Sequence, residues 1–190
     1  LSDTTSSEGS PSRKKRLPIF IGVGVAVIAI VVVSILTGGK VNDGNGATSK
    51  LVGTSVKTFS LSGLKSGTVE APWKSHHAAV LIFFASFCGP CKSEMPKVAK
   101  YLRHHNEGSI RVIGIDALDS RGPAEAFVKK SGVTFPIAFD PNGTVTTGIF
   151  QFAYVPETVF VSAQGILKQV YYGAIPKDVL VRGIAALRTT

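Results

Sequence analysis

The chain of 190 residues has only two cysteines, one methionine and one tryptophan. Two cysteines cannot build a disulfide scaffold, and no others exist to complete a structural zinc site of the common kind. The pairs His76/His77 and His104/His105 lack ligand spacing to them, so no metal site is expected. Acids are scarce as well, 12 Asp+Glu against 21 Lys+Arg, for a net charge of +9. No basic run carries interleaved aromatics, which argues against nucleic acid as a partner. No G-x-G-x-x-G follows a strand-like run, so the nicotinamide-binding fingerprint is missing, as is any haem signature. Twenty Gly and ten Pro are too few for a collagenous or fully disordered chain. No internal repeat is present.

What the chain does have is a local excess of apolar residues, which lifts its mean hydropathy to +0.26. Residues 19–36 read IFIGVGVAVIAIVVVSIL, uncharged and apolar all round. That is close to the ~20 residues needed to cross a hydrocarbon core of about 30 Å. The block Arg13-Lys14-Lys15-Arg16 precedes it, and the first thirteen residues after it hold only Lys40. Basic residues stay on the cytoplasmic side, so the N-terminus is expected inside and the bulk of the chain outside. A cleaved signal peptide is the alternative, but the run exceeds the ~7–15 residues of an h-region and no A-x-A site follows. The expected organisation is a cytoplasmic tail (residues 1–17), a single-pass signal-anchor helix in the cell membrane (18–37), a Gly/Asn/Ser-rich linker (38–55) and an extracytoplasmic domain (56–190).

The outer domain alternates strand-like and helix-like segments. Residues 77–87, HAAVLIFFASF, form a continuous apolar run that suits a strand buried on both faces. A helical pattern over 92–105 follows, then a strand-like run at 110–115, and a helix at 123–131 with Pro123 in its first turn and Gly132 as its stop. A short apolar run at 133–139 ends in Asp140-Pro141-Asn142-Gly143. Two strands at 158–161 and 166–172 flank Ala163-Gln164-Gly165 as a hairpin, and a helix at 176–187 closes the chain. This order predicts an α/β three-layer sandwich with a mixed sheet and, through right-handed crossovers, helices on both faces.

Between the first strand and helix stands Cys88-Gly89-Pro90-Cys91. A C-x-x-C that opens a helix is a redox motif. Unpaired N–H groups and the macrodipole at the helix start favour a thiolate at Cys88, the nucleophile that meets a partner disulfide. The i, i+3 spacing lets Cys91 attack the mixed disulfide and resolve it. Pro90 lacks an N–H where the helix start has no use for one. A purely structural bridge is disfavoured, since so small a loop contributes little chain-entropy stabilisation.

Phe83-Phe84-Ala85-Ser86-Phe87-Cys88-Gly89-Pro90-Cys91-Lys92, followed by Pro96, resembles the active-site strand and kinked helix of the thioredoxin superfamily. Cys91-Lys92-Ser93-Glu94-Met95-Pro96 is similar to its membrane-anchored TlpA/ResA/CcmG(DsbE) branch, and residues 110–139 look like that branch's central insertion. Val155-Pro156-Glu157-Thr158 falls where the family carries its cis-proline loop. The resemblance spans about residues 56–187. It implies that Pro156 is cis and faces the cysteines, and that Val155 offers backbone groups to which a partner peptide adds as a short strand. Two departures stand out. Phe87 replaces the usual Trp, keeping an apolar platform for the partner but losing the indole N–H. Ile82 replaces the buried Asp that takes the resolving cysteine's proton, so another acid is needed. Asp119 falls near where the ResA group places one, ahead of Glu94 and Glu157.

The Gly-Pro dipeptide is that of thioredoxin, whose potential lies near about −270 mV against about −120 mV for DsbA. The expected activity is therefore protein-disulfide reduction outside the membrane, with no cofactor beyond the Cys88–Cys91 disulfide itself. The resemblance implies apocytochrome c haem-site cysteines as substrate and a membrane-embedded thiol reductant as donor. Three rivals are a disulfide-introducing oxidase for secreted proteins, a peroxiredoxin-like peroxidase and a Cu(I) chaperone. The peroxidase needs Thr or Ser three residues before its cysteine, where this chain has Ala85. The chaperone has only Met95 to supplement the thiols.

Overall fold

The computed structural model describes residues 49–189. The expected membrane segment, the tail before it and most of the linker lie outside the described residues. Among the described residues no helix is long and apolar enough to cross a membrane.

Seven strands and three α-helices are found among the described residues. In chain order they are β1 (Ser60–Ser62), β2 (Thr68–Glu70), a 3-10 helix (Pro72–Ser75), β3 (Ala79–Phe84), α1 (Gly89–His104), β4 (Arg111–Ala117), α2 (Arg121–Ser131), β5 (Ile137–Asp140), β6 (Glu157–Val161), β7 (Leu167–Tyr172) and α3 (Lys177–Leu187). β1 and β2 make a small antiparallel hairpin; the other five form a sheet in the order β5-β4-β3-β6-β7. β3, β4 and β5 run parallel, while β6 is antiparallel to β3 and to β7. The mixed sheet is therefore as expected, and residues 110–139 supply its β4–β5 edge.

β3 lies at the centre, which explains its unbroken apolar run. Val80, Ile82 and Phe84 face one core and Ala79, Leu81 and Phe83 the other, all fully buried. The first core takes the buried faces of all three α-helices, through residues such as Met95, Phe127 and Leu180. The second is closed by Val56, Phe59, Trp73 and the rings of Phe150 and Phe152. Helices on both faces were expected; here every α-helix packs on one face, and the 3-10 helix and irregular segments cover the other. The crossovers β3-α1-β4 and β4-α2-β5 step the same way across the sheet, so right-handedness puts both helices on one side. Only a reversal of direction would have moved a helix across.

Element ends follow local chemistry. Gly132 stops α2 at φ 65, in the left-handed region that costs glycine least. Gly183 lets α3 approach the sheet, since a Cβ there would overlap the Phe160 ring. α2 begins at Arg121, so Pro123 sits at its third position, where an N–H is still not needed. The short β1–β2 hairpin was not expected; its three-residue strands carry too little alternation to register.

Candidate active site

β3 ends at Phe84, and the chain bends through residues 85–87 so that Cys88 becomes the N-cap of α1. Cys88 donates its N–H to Ala85 O, which fixes the bend, and its own carbonyl accepts from Lys92. Its Sγ accepts the Cys91 N–H at 3.2 Å. The sulfur thus occupies the place of a capping oxygen, where orphan N–H groups and the helix dipole stabilise negative charge. Gly89 and Pro90 form the first turn, and the two sulfurs are joined as a disulfide with Cα atoms 5.3 Å apart.

The two sulfurs stand in different surroundings. Cys88 retains 7% exposure and Cys91 none. Cys88 Sγ lies 3.5 Å from the carbonyl oxygen of Val155, and the Val155–Pro156 peptide is cis, as the resemblance implied. The Val155 N–H has no partner among the described residues. Around Cys88 three large apolar side chains are left in solvent: Tyr154 at 82% exposure, Phe87 at 66% and Leu118 at 49%. They rim a groove of about 270 Å³ whose wall includes Thr146 and Phe152. Leu118 takes φ 53, uncommon for a branched side chain, and its N–H is held by Asp140 O at 3.0 Å. Neither Leu118 nor Tyr154 was singled out from the sequence. Tyr154 could have been, as the neighbour of Val155; Leu118 carries no local signal.

Asp119 reaches the motif, but through the backbone. Its Oδ2 accepts the Ser86 N–H at 2.5 Å and its Oδ1 the Ser120 N–H at 2.6 Å, so the half-buried carboxylate ties the bend before Cys88 to the end of β4. Ile82 is fully buried on the helix-bearing face and provides no acid there. Glu94 is placed otherwise. It stands one turn beyond Cys91 on α1, at the i, i+3 spacing that puts two side chains on one face. It is 3% exposed; Oε1 accepts the Ile175 N–H at 2.8 Å and Oε2 has no partner. Burial raises its pKa to about 7, against the lowering effect of the Ile175 N–H.

Two further carboxyls are buried near the site. Asp116, at the end of β4 on the helix-bearing face, is wholly buried with both oxygens unpartnered. Burial first, then the neighbouring Asp119 charge, raise its pKa to about 8. Glu157 follows the cis proline on the opposite face, and burial raises it to about 8. Asp116 escaped the sequence reading because a single acid ending a strand looks like any turn residue. No group of three or more His, Cys, Asp or Glu side chains that could hold a metal occurs among the described residues.

Comparisons with known proteins agree with this geometry. The thiol-disulfide oxidoreductase ResA of Bacillus subtilis (strain 168) is 22% identical over 167 residues, covering 88% of this chain and 92% of that one. ResA of Oceanobacillus iheyensis is 25% identical over 111 residues, 58% of this chain and 57% of that relative. The solved structure of Mycobacterium tuberculosis DsbF, in mixed oxidised and reduced forms, superposes with a TM-score of 0.61 at 28% identity, covering 68% of this chain and 94% of that one. With a thioredoxin-like fold, a C-x-x-C pair capping a helix, and residues 52–170 matching the AhpC/TSA family, the chain belongs to that family.

Proposed function

We propose that this protein is a membrane-tethered, extracytoplasmic thiol-disulfide oxidoreductase that reduces protein disulfides, with the haem-site cysteines of apocytochromes c as its substrate class. The observation that carries this reading is the asymmetry of the two sulfurs: Cys88 is reachable beneath an apolar rim and beside a free backbone edge, while Cys91 is sealed. A partner strand lies along Val155, and its apolar side chains rest on Phe87, Leu118 and Tyr154. The Cys88 thiolate attacks one sulfur of the partner disulfide; a mixed disulfide forms and the partner's other sulfur leaves as a thiolate. Cys91 then gives its proton to Glu94, whose raised pKa matches the task, and attacks Cys88 Sγ. The partner departs with two thiols and the Cys88–Cys91 disulfide re-forms, two electrons having passed to the partner. A membrane-embedded dithiol returns them. Asp119 acts as a positioning residue through the Ser86 N–H.

The reductive direction is supported by the Gly89-Pro90 dipeptide, and the membrane tether by the basic block and apolar run of residues 13–36. The test is the equilibrium potential of the Cys88–Cys91 pair. A value at or below about −250 mV is expected; one above about −150 mV makes the protein a disulfide donor and overturns both the direction and the cytochrome reading.

A further inference from the structure

A second concave surface runs along α1 away from the cysteines. Between α1 and the segment leading into α3 lies a cleft of about 570 Å³, within the size range of ligand sites. It begins at Ser93, two residues beyond the C-x-x-C, and ends at His105, about 18 Å further along the helix. Its floor is apolar: Val98, Ile175 and Leu180 are buried and Tyr101 is half-buried. Its rim is basic. Lys97 and Lys100 come from α1 and Lys177 from α3, all exposed. Lys177 Nζ lies 5.8 Å from the centre of the Tyr101 ring, which brings the α3 ammonium to the α1 wall. His105 closes the far end, stacked on Tyr101 with ring centres 4.0 Å apart.

Among the described residues no acid answers these lysines. None of the three forms an ion pair among the described residues. The nearest carboxylate on α3, Asp178, is held by Arg182 at 2.8 Å. Among the described residues the one acid lining the cleft, Glu94, is buried and turned to the Ile175 N–H, and burial raises its pKa to about 7. Elsewhere the described acids are paired, buried or, like Asp119, bonded to backbone N–H groups. The cleft is therefore where unanswered positive charge meets concave apolar surface.

We infer that the cleft between α1 and α3 receives an acidic, partly apolar polypeptide segment of a partner protein. Carboxylates would meet Lys97, Lys100 and Lys177 while an apolar side chain covers Val98 and Leu180. A bilayer is a poorer fit, because a flat anionic surface cannot reach a recessed apolar floor. The inference does not depend on the thiol chemistry, since no cysteine lines the cleft.

The test is fluorescence anisotropy of a labelled octapeptide alternating Glu and Leu, titrated with the full chain in neutral detergent. Saturable binding is expected, about tenfold weaker with Gln in place of Glu and about tenfold weaker again for Lys97→Glu or Lys177→Glu. Lys129→Glu, the same change of net charge on α2, should leave it within about twofold. Cys88→Ser should also leave it unchanged, which separates this site from the redox centre. Equal losses for Lys129→Glu and Lys97→Glu, or equal binding of the Gln peptide, overturn the inference. So does binding to phosphatidylglycerol vesicles that is lost on Lys97→Glu when the peptide does not bind.

Discussion

The tip and the flank of α1 are built on opposite principles. At the tip, apolar side chains stand in solvent around one sulfur, and negative charge there is stabilised by the Cys91 backbone N–H and the start of the helix. Along the flank, apolar side chains are buried, lysines hold the rim, and the one carboxyl is removed from water. Cys91 lies fully buried between the two. In the proposed mechanism this contrast divides the work: the partner is met where the surface is apolar and the backbone is free, and a proton is held where burial raises a carboxyl's affinity for it.

The largest effect expected is on the tip. Cys88→Ala abolishes disulfide exchange, whereas Cys91→Ala leaves the first attack intact and accumulates mixed disulfides with the partner. Non-reducing electrophoresis after acid quench reads both, and equal trapping by the two variants would refute the division of roles. Next comes the flank. Glu94→Gln slows resolution by a factor on the order of 10² at pH 8, where the carboxylate form acts as base. At pH 6 the parent Glu94 is protonated and the two rates converge, so the rate profile loses its inflection near pH 7. A parallel offset at all pH values would instead mean a structural role.

Smaller changes sharpen the contrast. Tyr154→Ala and Phe87→Ser should each lower kcat/KM for a protein disulfide by about 3–10-fold, with the rate toward a small aromatic disulfide unchanged. If both substrates suffer alike, the rim is not a docking surface. Asp116→Asn should affect stability more than exchange. Asp116, next to Asp119, Arg121 and Asp140, binds its proton more tightly folded than unfolded. Its contribution is therefore present at acid pH and falls as pH rises from about 4 through about 8. Asn does not titrate, so the melting curves of variant and parent should diverge in the variant's favour between pH 5 and pH 8, by about 1–3 kcal/mol. A constant difference across that range would show that Asp116 does not hold a proton in the fold.

Much of the frame could be read from residue order. The run 77–87 announced a strand buried on both faces, and the fully buried Ala79–Phe84 is that strand. Gly132 and the Ala163-Gln164-Gly165 turn also stand where expected, and these depend on neighbours in the chain or on one residue's backbone preference. The cis Val155–Pro156 bond was implied by the family resemblance and not by residue preference, which favours trans. The two candidate proton acceptors stand in different surroundings. Asp119 was placed ahead of Glu94 because it falls near where the ResA group carries an acid, and its carboxylate accepts the N–H groups of Ser86 and Ser120. Glu94 owes its raised pKa to burial, against the lowering effect of the N–H of Ile175, 81 residues further along the chain.

The same division runs through the whole molecule. Sequence by itself determined the redox pair, its place at a helix start, the apolar central strand and the basic excess, since each follows from residue type and spacing. Tertiary structure decided which sulfur stays reachable, which acid is buried, and that Lys97, Lys100 and Lys177 share one cleft. It also decided that all three α-helices lie on one face. These outcomes depend on the direction in which successive crossovers step and on what each helix buries, and long-range packing alone sets both.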